Sequence, residues 1–364
     1  MYRFLLFLIS VALFQTATSQ NAEKDSLTSI FNTAADQGFS GVVLVAEKGL
    51  PVYEQAFGYR DYAGNIPLQV TDVFELASLS KQFTAMIIMM LQEKGKLRYD
   101  DAVEKYLDIP YKGITIRNLL THTSGLPDYQ EIMDQHWDKS KVAGNDEILH
   151  YLRQYAPTKL FEPGEKYSYS NTGYVLLASI AEKASGRDFI DMCREWIFKP
   201  LNMNSTDIRT LTQKAATENF AIGHIYVDER KQYVRADSFP SSDYTIWLGN
   251  RKGPGRVSST AGDLLKWDQA LYTEKLVKQS TLREAFQPMK LNDGSSSDYG
   301  FGWALRKGPG GERVVFHTGD NPGYATRIVR YPDTKKTIII LSNNATSTGE
   351  LVQKTEKVLL NTSR

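Results

Sequence analysis

Residues 78–95 read Ser78-Leu79-Ser80-Lys81-Gln82-Phe83-Thr84-Ala85-Met86-Ile87-Ile88-Met89-Met90-Leu91-Gln92-Glu93-Lys94-Gly95. From Leu79 to Lys94 the pattern predicts a helix, with Gly95 as its stop. Its middle, Ala85 to Leu91, is apolar on every face, which marks a helix buried on all sides rather than a surface one. A buried helix of this kind needs layers around it, and the flanking sequence supplies them. Upstream, Asp25–Gln37 reads as a helix. Gly41–Ala46 then forms a continuous apolar run, Glu47-Lys48-Gly49 a turn and Pro51–Phe57 a second strand, so a hairpin is expected. Downstream, residues 100–290 read as helical pieces joined by loops rich in Gly, Pro and Ser, with Val175–Ala184 and Ala261–Leu271 the clearest helices. Strand character returns at Tyr299–Leu305, Arg313–Phe316, Tyr324–Tyr331 and Thr337–Leu341. A last helix, Ser347–Leu360, opens with Ser347 and Glu350 at capping-box spacing. Strands at both ends with helices between them predict an α+β fold, one antiparallel sheet assembled from the two termini with a large helical insertion.

Composition narrows the function. The chain of 364 residues carries 43 basic and 42 acidic residues, a formal charge of +1 that argues against a nucleic-acid or anionic-membrane partner. Aromatic residues make up 11% of the chain, which with so small a net charge excludes a disordered protein. Residues 1–19 read as a secretory signal: Arg3 is the positive n-region, Phe4–Phe14 the apolar stretch, and Ala17-Thr18-Ser19 the small residues before cleavage. A stretch of eleven residues, apolar except for Ser10, is too short to span a bilayer, which needs about 20. The expectation is an exported protein, periplasmic or secreted, without a membrane anchor once the signal is cleaved. It is a single domain over 20–364, with a sheet part at about 20–75 and 295–364 and a helical part at about 76–294. Cys193 is the only cysteine, so no internal disulfide exists. Its setting in Phe189-Ile190-Asp191-Met192 is a buried helical stripe, and it is read as packing.

Three short motifs carry chemistry. In Ser78-Leu79-Ser80-Lys81 the two ends share a helix face, so Ser78 Oγ and Lys81 Nζ can meet. Burial and the positive helix end both disfavour the ammonium, so Lys81 is expected to accept the serine proton. Tyr169-Ser170-Asn171 follows Phe161-Glu162-Pro163-Gly164. A tyrosine beside a lysine has its anion favoured and can shuttle a proton, while the Asn171 amide offers a donor and an acceptor to a substrate amide. His317-Thr318-Gly319 follows the strand at Arg313–Phe316. Its glycine leaves room for a ligand against the strand edge, with His317 and Thr318 as donors to a substrate oxyanion or carboxylate. Each motif alone is weak, and alone each reads as a capping serine, a loop into a helix or a structural histidine.

Taken together and in this order, the motifs resemble those of the serine acyl-enzyme family of class C β-lactamases, serine D-Ala-D-Ala carboxypeptidases, penicillin-binding proteins and related esterases. Ile116 to Pro127 is similar to that family's signature loop. The stretches Phe161–Gly186 and Gly255–Leu264 match as well, so the resemblance extends over residues 38–345. It implies Ser78 as nucleophile, Lys81 as proton acceptor and Tyr169 as second acid/base. It further implies Asn171 as a substrate contact, and an oxyanion hole from the backbone N–H groups of Ser78 and Asp320. His317 stands where β-lactamases usually carry lysine. Asp320-Asn321 departs from the small residues or tryptophan common after the third motif, and an acid there would repel a substrate carboxylate. His122 in the signature loop is read as structural.

No metal and no cofactor is expected. The five histidines form no HxH or HExxH pair, and no G-x-S-x-G elbow occurs. The reading is therefore a serine hydrolase of amide or ester bonds, acting as a monomer on a small molecule or peptide: a peptidoglycan stem peptide, an ester or a β-lactam. The third motif tilts it toward a carboxypeptidase or esterase. The alternatives are a true class C-type β-lactamase, and a penicillin-binding or sensor protein whose chemistry is silent.

Overall fold

The computed structural model describes residues 21–361; the expected signal, 1–19, lies outside them. The frame is an antiparallel six-stranded sheet made from both ends of the chain. Two strands come from the N-terminal side, β1 (Gly41–Glu47) and β2 (Leu50–Phe57). Four come from the C-terminal side: β3 (Ala304–Lys307), β4 (Arg313–Asn321), β5 (Tyr324–Tyr331) and β6 (Lys336–Ser342). Their order is β3-β4-β5-β6-β1-β2, so the chain closes by pairing β1 with β6, Val43 opposite Ile340 and Val45 opposite Ile338. The fold is α+β, as the distribution of strands predicted.

Both faces of the sheet are covered, which is why β1 reads as an unbroken apolar run. Val43, Val45, Ile338 and Ile340 pack with Leu27, Phe31 and Leu359 from helix α1 (21–36) and the C-terminal helix Gly349–Asn361. The alternate residues Val42, Leu44, Ile339 and Leu341 face the opposite way into the larger core. Period two along the strand sorts them between two layers. The larger core surrounds α2 (Lys81–Glu93), in which every residue from Lys81 to Leu91 is buried. Two more helices pack around it, α3 (Asn171–Ser185) and α4 (Ala261–Ala270). Trp267 of α4 sits with its ring centroid 4.6 Å from that of Phe83, and donates its indole N–H to Gln82 Oε1 at 2.9 Å.

Several expectations need correction. The helix expected from Leu79 is two pieces, a 3₁₀ turn at Ala77–Ser80 and the α-helix from Lys81. The strand expected at Tyr299–Leu305 starts only at Ala304, because Tyr299 folds back to bridge Ala304. Arg313–Phe316 is the first half of a strand that continues to Asn321. The first half pairs with β3 and β5, whereas residues 317–321 pair with β5 alone, so their pattern lacks the apolar run of a doubly paired strand. The third motif thus lies on a strand whose outer edge is not covered by β3. The C-terminal helix begins at Gly349, so its capping position falls on Thr348 and not on Ser347. Residues 100–290 are also not purely helical. Phe74–Glu75, Val257–Ser259 and Asp207–Ile208 form a small sheet, and His224–Val227 pairs with Gln232–Arg235.

Candidate active site

The site forms where the 3₁₀ turn enters α2. In a 3₁₀ helix side chains three apart eclipse, and Lys81 Nζ lies 3.0 Å from Ser78 Oγ. The turn is held in place from two sides. Leu76 N–H donates to Val257 O at 2.9 Å and Val257 N–H to Ser80 Oγ at 3.0 Å. From β4, Gly319 packs so closely that a Cβ there would sit 2.2 Å from Leu76 O, 2.4 Å from Thr326 Oγ1 and 3.1 Å from Ser78 N. The glycine is therefore required by the serine's own turn. The expectation that it makes room for a ligand is corrected accordingly. Ala77, just before Ser78, has φ 49°, a left-handed conformation that costs a residue with a Cβ and that collects at functional turns.

Lys81 is fully buried at 0% exposure. Its Nζ meets three oxygens: Ser78 Oγ, Asn171 Oδ1 at 2.9 Å and Pro254 O at 2.9 Å. None carries a formal charge. Burial drives its pKa well below the usual lysine value. Asp128 works against that shift, and Arg251 adds to it. A neutral amine can donate to Asn171 and Pro254 and turn its lone pair to the serine O–H, which is the arrangement a base needs.

Asn171 also has a role inside the protein. Its Oδ1 accepts from Lys81, while its Nδ2 and backbone N–H both donate to Asp128 Oδ2 at 2.9 Å. The carbonyl and one Nδ2 hydrogen are committed inside the protein, so the side chain holds Lys81, and the second Nδ2 hydrogen is left for the expected substrate amide. Asp128 in turn caps the helix Tyr129–His136 by accepting from Gln130 N–H. Sequence reasoning missed Asp128, although it directly follows the signature loop and opens a helix.

The Tyr169 hydroxyl lies near enough to Ser78 for the serine to lower its pKa. Lys81 Nζ lies 4.8 Å from the centroid of its ring. The expected favouring of its anion is corrected: desolvation of the hydroxyl raises its pKa, and the influence of Ser78 only partly offsets this. The ammonium charge that would stabilise a phenolate is itself disfavoured. The residue as a whole stays 40% exposed, so one ring edge faces the open cleft.

His317 is the largest departure. It is 4% exposed; Nδ1 lies 2.6 Å from Thr318 O and Nε2 2.8 Å from the Tyr299 hydroxyl. A carbonyl can only accept, so Nδ1 carries the proton and Nε2 accepts from Tyr299. Burial first, and Lys81 second, push its pKa down to about 3. It is a neutral, internally satisfied ring, and the expected role as donor to a substrate carboxylate is withdrawn for its side chain. Tyr299 was missed by the sequence reading because it sits in a turn with no motif around it. Thr318 and Asp320 point to the other face of the strand.

His122 is structural as read. It is buried at φ 55°, accepts from Ser170 N–H at 3.2 Å through Nδ1, and lies 4.2 Å from the Tyr169 ring centroid. The signature loop thereby positions the second motif, and Pro127 O adds a bond from Thr172 Oγ1 at 2.6 Å. Cys193 is buried and its thiol pKa is raised by burial, as a packing residue requires. Among the described residues no group of three or more His, Cys, Asp or Glu is placed to hold a metal ion. Among them, too, no helix is long and apolar enough to cross a membrane.

The sheet closed from both termini, with a Ser-Lys pair at the entry to the buried helix and a tyrosine opposite, resembles the layout of the serine acyl-enzyme family. Comparison with known proteins agrees. The β-lactamase family profile matches residues 27–362, and the chain belongs to that family. It is 43% identical to penicillin-binding protein 4* of Bacillus subtilis, over 90% of this chain and 73% of that protein. It is 27% identical to the D-aminopeptidase of Brucella anthropi, over 90% of this chain and 60% of that one. Among solved structures, the octameric penicillin-binding protein homologue from Pyrococcus abyssi superposes with a TM-score of 0.79 at 26% identity, covering 93% of this chain and 77% of its own. The chain is a β-lactamase-family hydrolase related to penicillin-binding proteins and D-aminopeptidase.

Proposed function

We propose that the protein is an exported serine hydrolase that cleaves amide or ester bonds through an acyl-enzyme on Ser78, and that it works as a peptidase of the D-Ala-D-Ala carboxypeptidase kind or as an esterase. The observation that carries this reading is the 3.0 Å contact of Ser78 Oγ with a buried Lys81 that touches no carboxylate. Ser78 Oγ attacks the substrate carbonyl and its proton passes to Lys81 Nζ. The oxyanion is held by the backbone N–H groups of Ser78 and Asp320; the close packing of Gly319 on the Ser78 turn supports this. As the intermediate collapses, the proton travels through the Tyr169 hydroxyl to the departing amine or alcohol. Water then enters, loses its proton along the same route and releases the acid, restoring Ser78. The neutral state of His317 supports peptidase or esterase chemistry over that of a true β-lactamase, because it removes a fixed cation from the place where a β-lactam carboxylate would bind.

Labelling of the mature chain by a fluorophosphonate and by a fluorescent penicillin tests the reading. Labelling is expected in the wild type and lost in Ser78→Ala, with turnover falling by several orders of magnitude. Labelling that persists in Ser78→Ala, or that maps to Ser80, overturns the assignment. A panel of D-Ala-D-Ala peptides, short-chain nitrophenyl esters and a chromogenic cephalosporin then separates the activities. Fast cephalosporin turnover would favour the β-lactamase, and labelling without turnover a silent penicillin-binding sensor. Export is tested by the compartment in which the full-length chain accumulates and by the N-terminus of the mature form.

A further inference from the structure

Beyond the nucleophile, the open edge of β4 has an electrostatic character of its own. Antiparallel register sets Thr318 opposite Arg327 and Asp320 opposite Ala325, so Thr318 and Asp320 share one face of the strand while His317 and Gly319 point into the core. Asp320 is exposed, and its carboxylate has no hydrogen bond or ion pair among the described residues. Its charge is nevertheless felt at the Tyr169 and Tyr244 hydroxyls, so it borders the cleft. Partial desolvation holds its own pKa above the usual aspartate value, and Arg327 opposes that without reaching contact. Of the other groups near this edge, His317 is neutral, Arg251 is buried with its guanidinium 5.7 Å from the Tyr244 ring centroid, and Arg327 lies opposite Thr318.

A cavity of about 510 Å³ adjoins the end of the same strand at Asn321 and Pro322 and repeats the pattern. Its three cations are each taken by a carboxylate: Arg60 by Asp72, Lys214 by Glu75 and Arg235 by Asp237. Its acids Asp61 and Glu218 have no lysine or arginine partner. Asp320 is the exposed charge on this edge of the strand, so a carboxylate lying along Thr318–Asp320 would meet its carboxylate, and an ammonium would be attracted there.

We propose that Asp320 is a specificity-determining residue that selects substrates carrying a cationic group, an amine above all, beside the scissile bond and rejects those carrying a carboxylate there. The inference rests on the serine-hydrolase reading above and names a substrate class for it. Two matched pairs of synthetic substrates test it with the mature chain. One pair carries the charge on the acyl side, as p-nitrophenyl esters ending in trimethylammonium or in carboxylate. The other carries it on the leaving group, as acetylthiocholine and S-acetyl-3-mercaptopropionate. The wild type is expected to prefer the cationic member of at least one pair by about tenfold or more in kcat/KM, less so at high salt. Asp320→Asn and Asp320→Ser should both lose most of that preference, and Asp320→Lys should invert it. Because each preference is a ratio within one variant, a general loss of rate cancels. Ratios equal to the wild-type ratio in all three variants, or a wild type that prefers the anionic members, overturn the proposal. A neutral fluorophosphonate keeps the two readings apart. If it labels Ser78 while the ratios stay unmoved, only the role of Asp320 falls. If Ser78 is not labelled in the wild type, the hydrolase reading falls and the specificity with it.

Discussion

Two cations are buried equally deeply in this molecule and treated in opposite ways. Arg330, on β5, is 1% exposed and its Nε pairs directly with Asp268 of α4, itself 0% exposed, while Nη2 reaches the Asp268 carbonyl at 3.3 Å. Tyr272 and Trp303 pack against its guanidinium at 4.9 and 5.6 Å. Lys81, at 0% exposure, touches only uncharged oxygens, and the carboxylate of Asp128 reaches it through the amide of Asn171. The first arrangement keeps the charge and holds a helix to the sheet. The second withholds a direct counter-ion, so that burial can push the proton off. Burial alone marks neither as functional; the formal charge of the touching atoms does.

The contrast can be broken most severely at Lys81. Lys81→Arg keeps a cation but cannot act as a base, so acylation of Ser78 should fall about 10³-fold or more, as far as in Lys81→Ala. Substantial turnover by Lys81→Arg at neutral pH would show that Lys81 supplies only a positive field. Next in size, Asp268→Ala strands the Arg330 charge and should cost about 3–5 kcal/mol of stability in urea unfolding. The folded fraction should label at Ser78 at an unchanged rate; a fall in that rate would mean the two buried cations are not separate systems.

A third effect is read in pH. His317 and His122 are held neutral by burial, with folded pKa values of about 3 for the former and well below 6.5 for the latter. Below about pH 6.5 the unfolded chain binds protons that the native state refuses, so the stability these rings contribute is complete above that pH and is lost as pH falls. At about 1.4 kcal/mol per unit for each ring, roughly 2–3 kcal/mol should be gone by pH 5.5, measured as urea midpoint against pH. His317→Gln should remove about half of the slope, and a flat profile between pH 7.5 and 5.5 would refute the neutral assignment.

The smallest effect refines the relay. Asp128 raises the Lys81 pKa and Arg251 lowers it. Asp128→Asn should shift the acid limb of kcat/KM to lower pH and Arg251→Gln to higher pH, each by about one unit or less. Shifts in the same direction would remove Lys81 as the group titrating in that limb.

The Ser78–Lys81 contact was legible in sequence because it is a matter of three residues and one turn. The α+β layout was legible too, because the apolar runs at Gly41–Ala46 and Thr337–Leu341 could be buried only by pairing in a sheet. His317 was misread, and the internal role of Asn171 was missed, for a common reason. Their residue types offer donors, but how many of these are free depends on Tyr299 and Asp128, which lie 18 and 43 residues away.

What the sequence determined by itself was local: helix and strand periodicity, the pairing of Ser78 with Lys81, and an acid placed after the third motif. Only the tertiary structure decided the electrostatic state of those groups. It set which carboxylate touches which cation, made His317 neutral, and required a glycine at 319 because Leu76 O and Thr326 Oγ1 crowd that point. Spacing along a chain determines which side chains share a face, but protonation depends on desolvation and on charges brought in from distant segments. Those are properties of the packed core, and they come into being only when the two ends of the sheet close around α2.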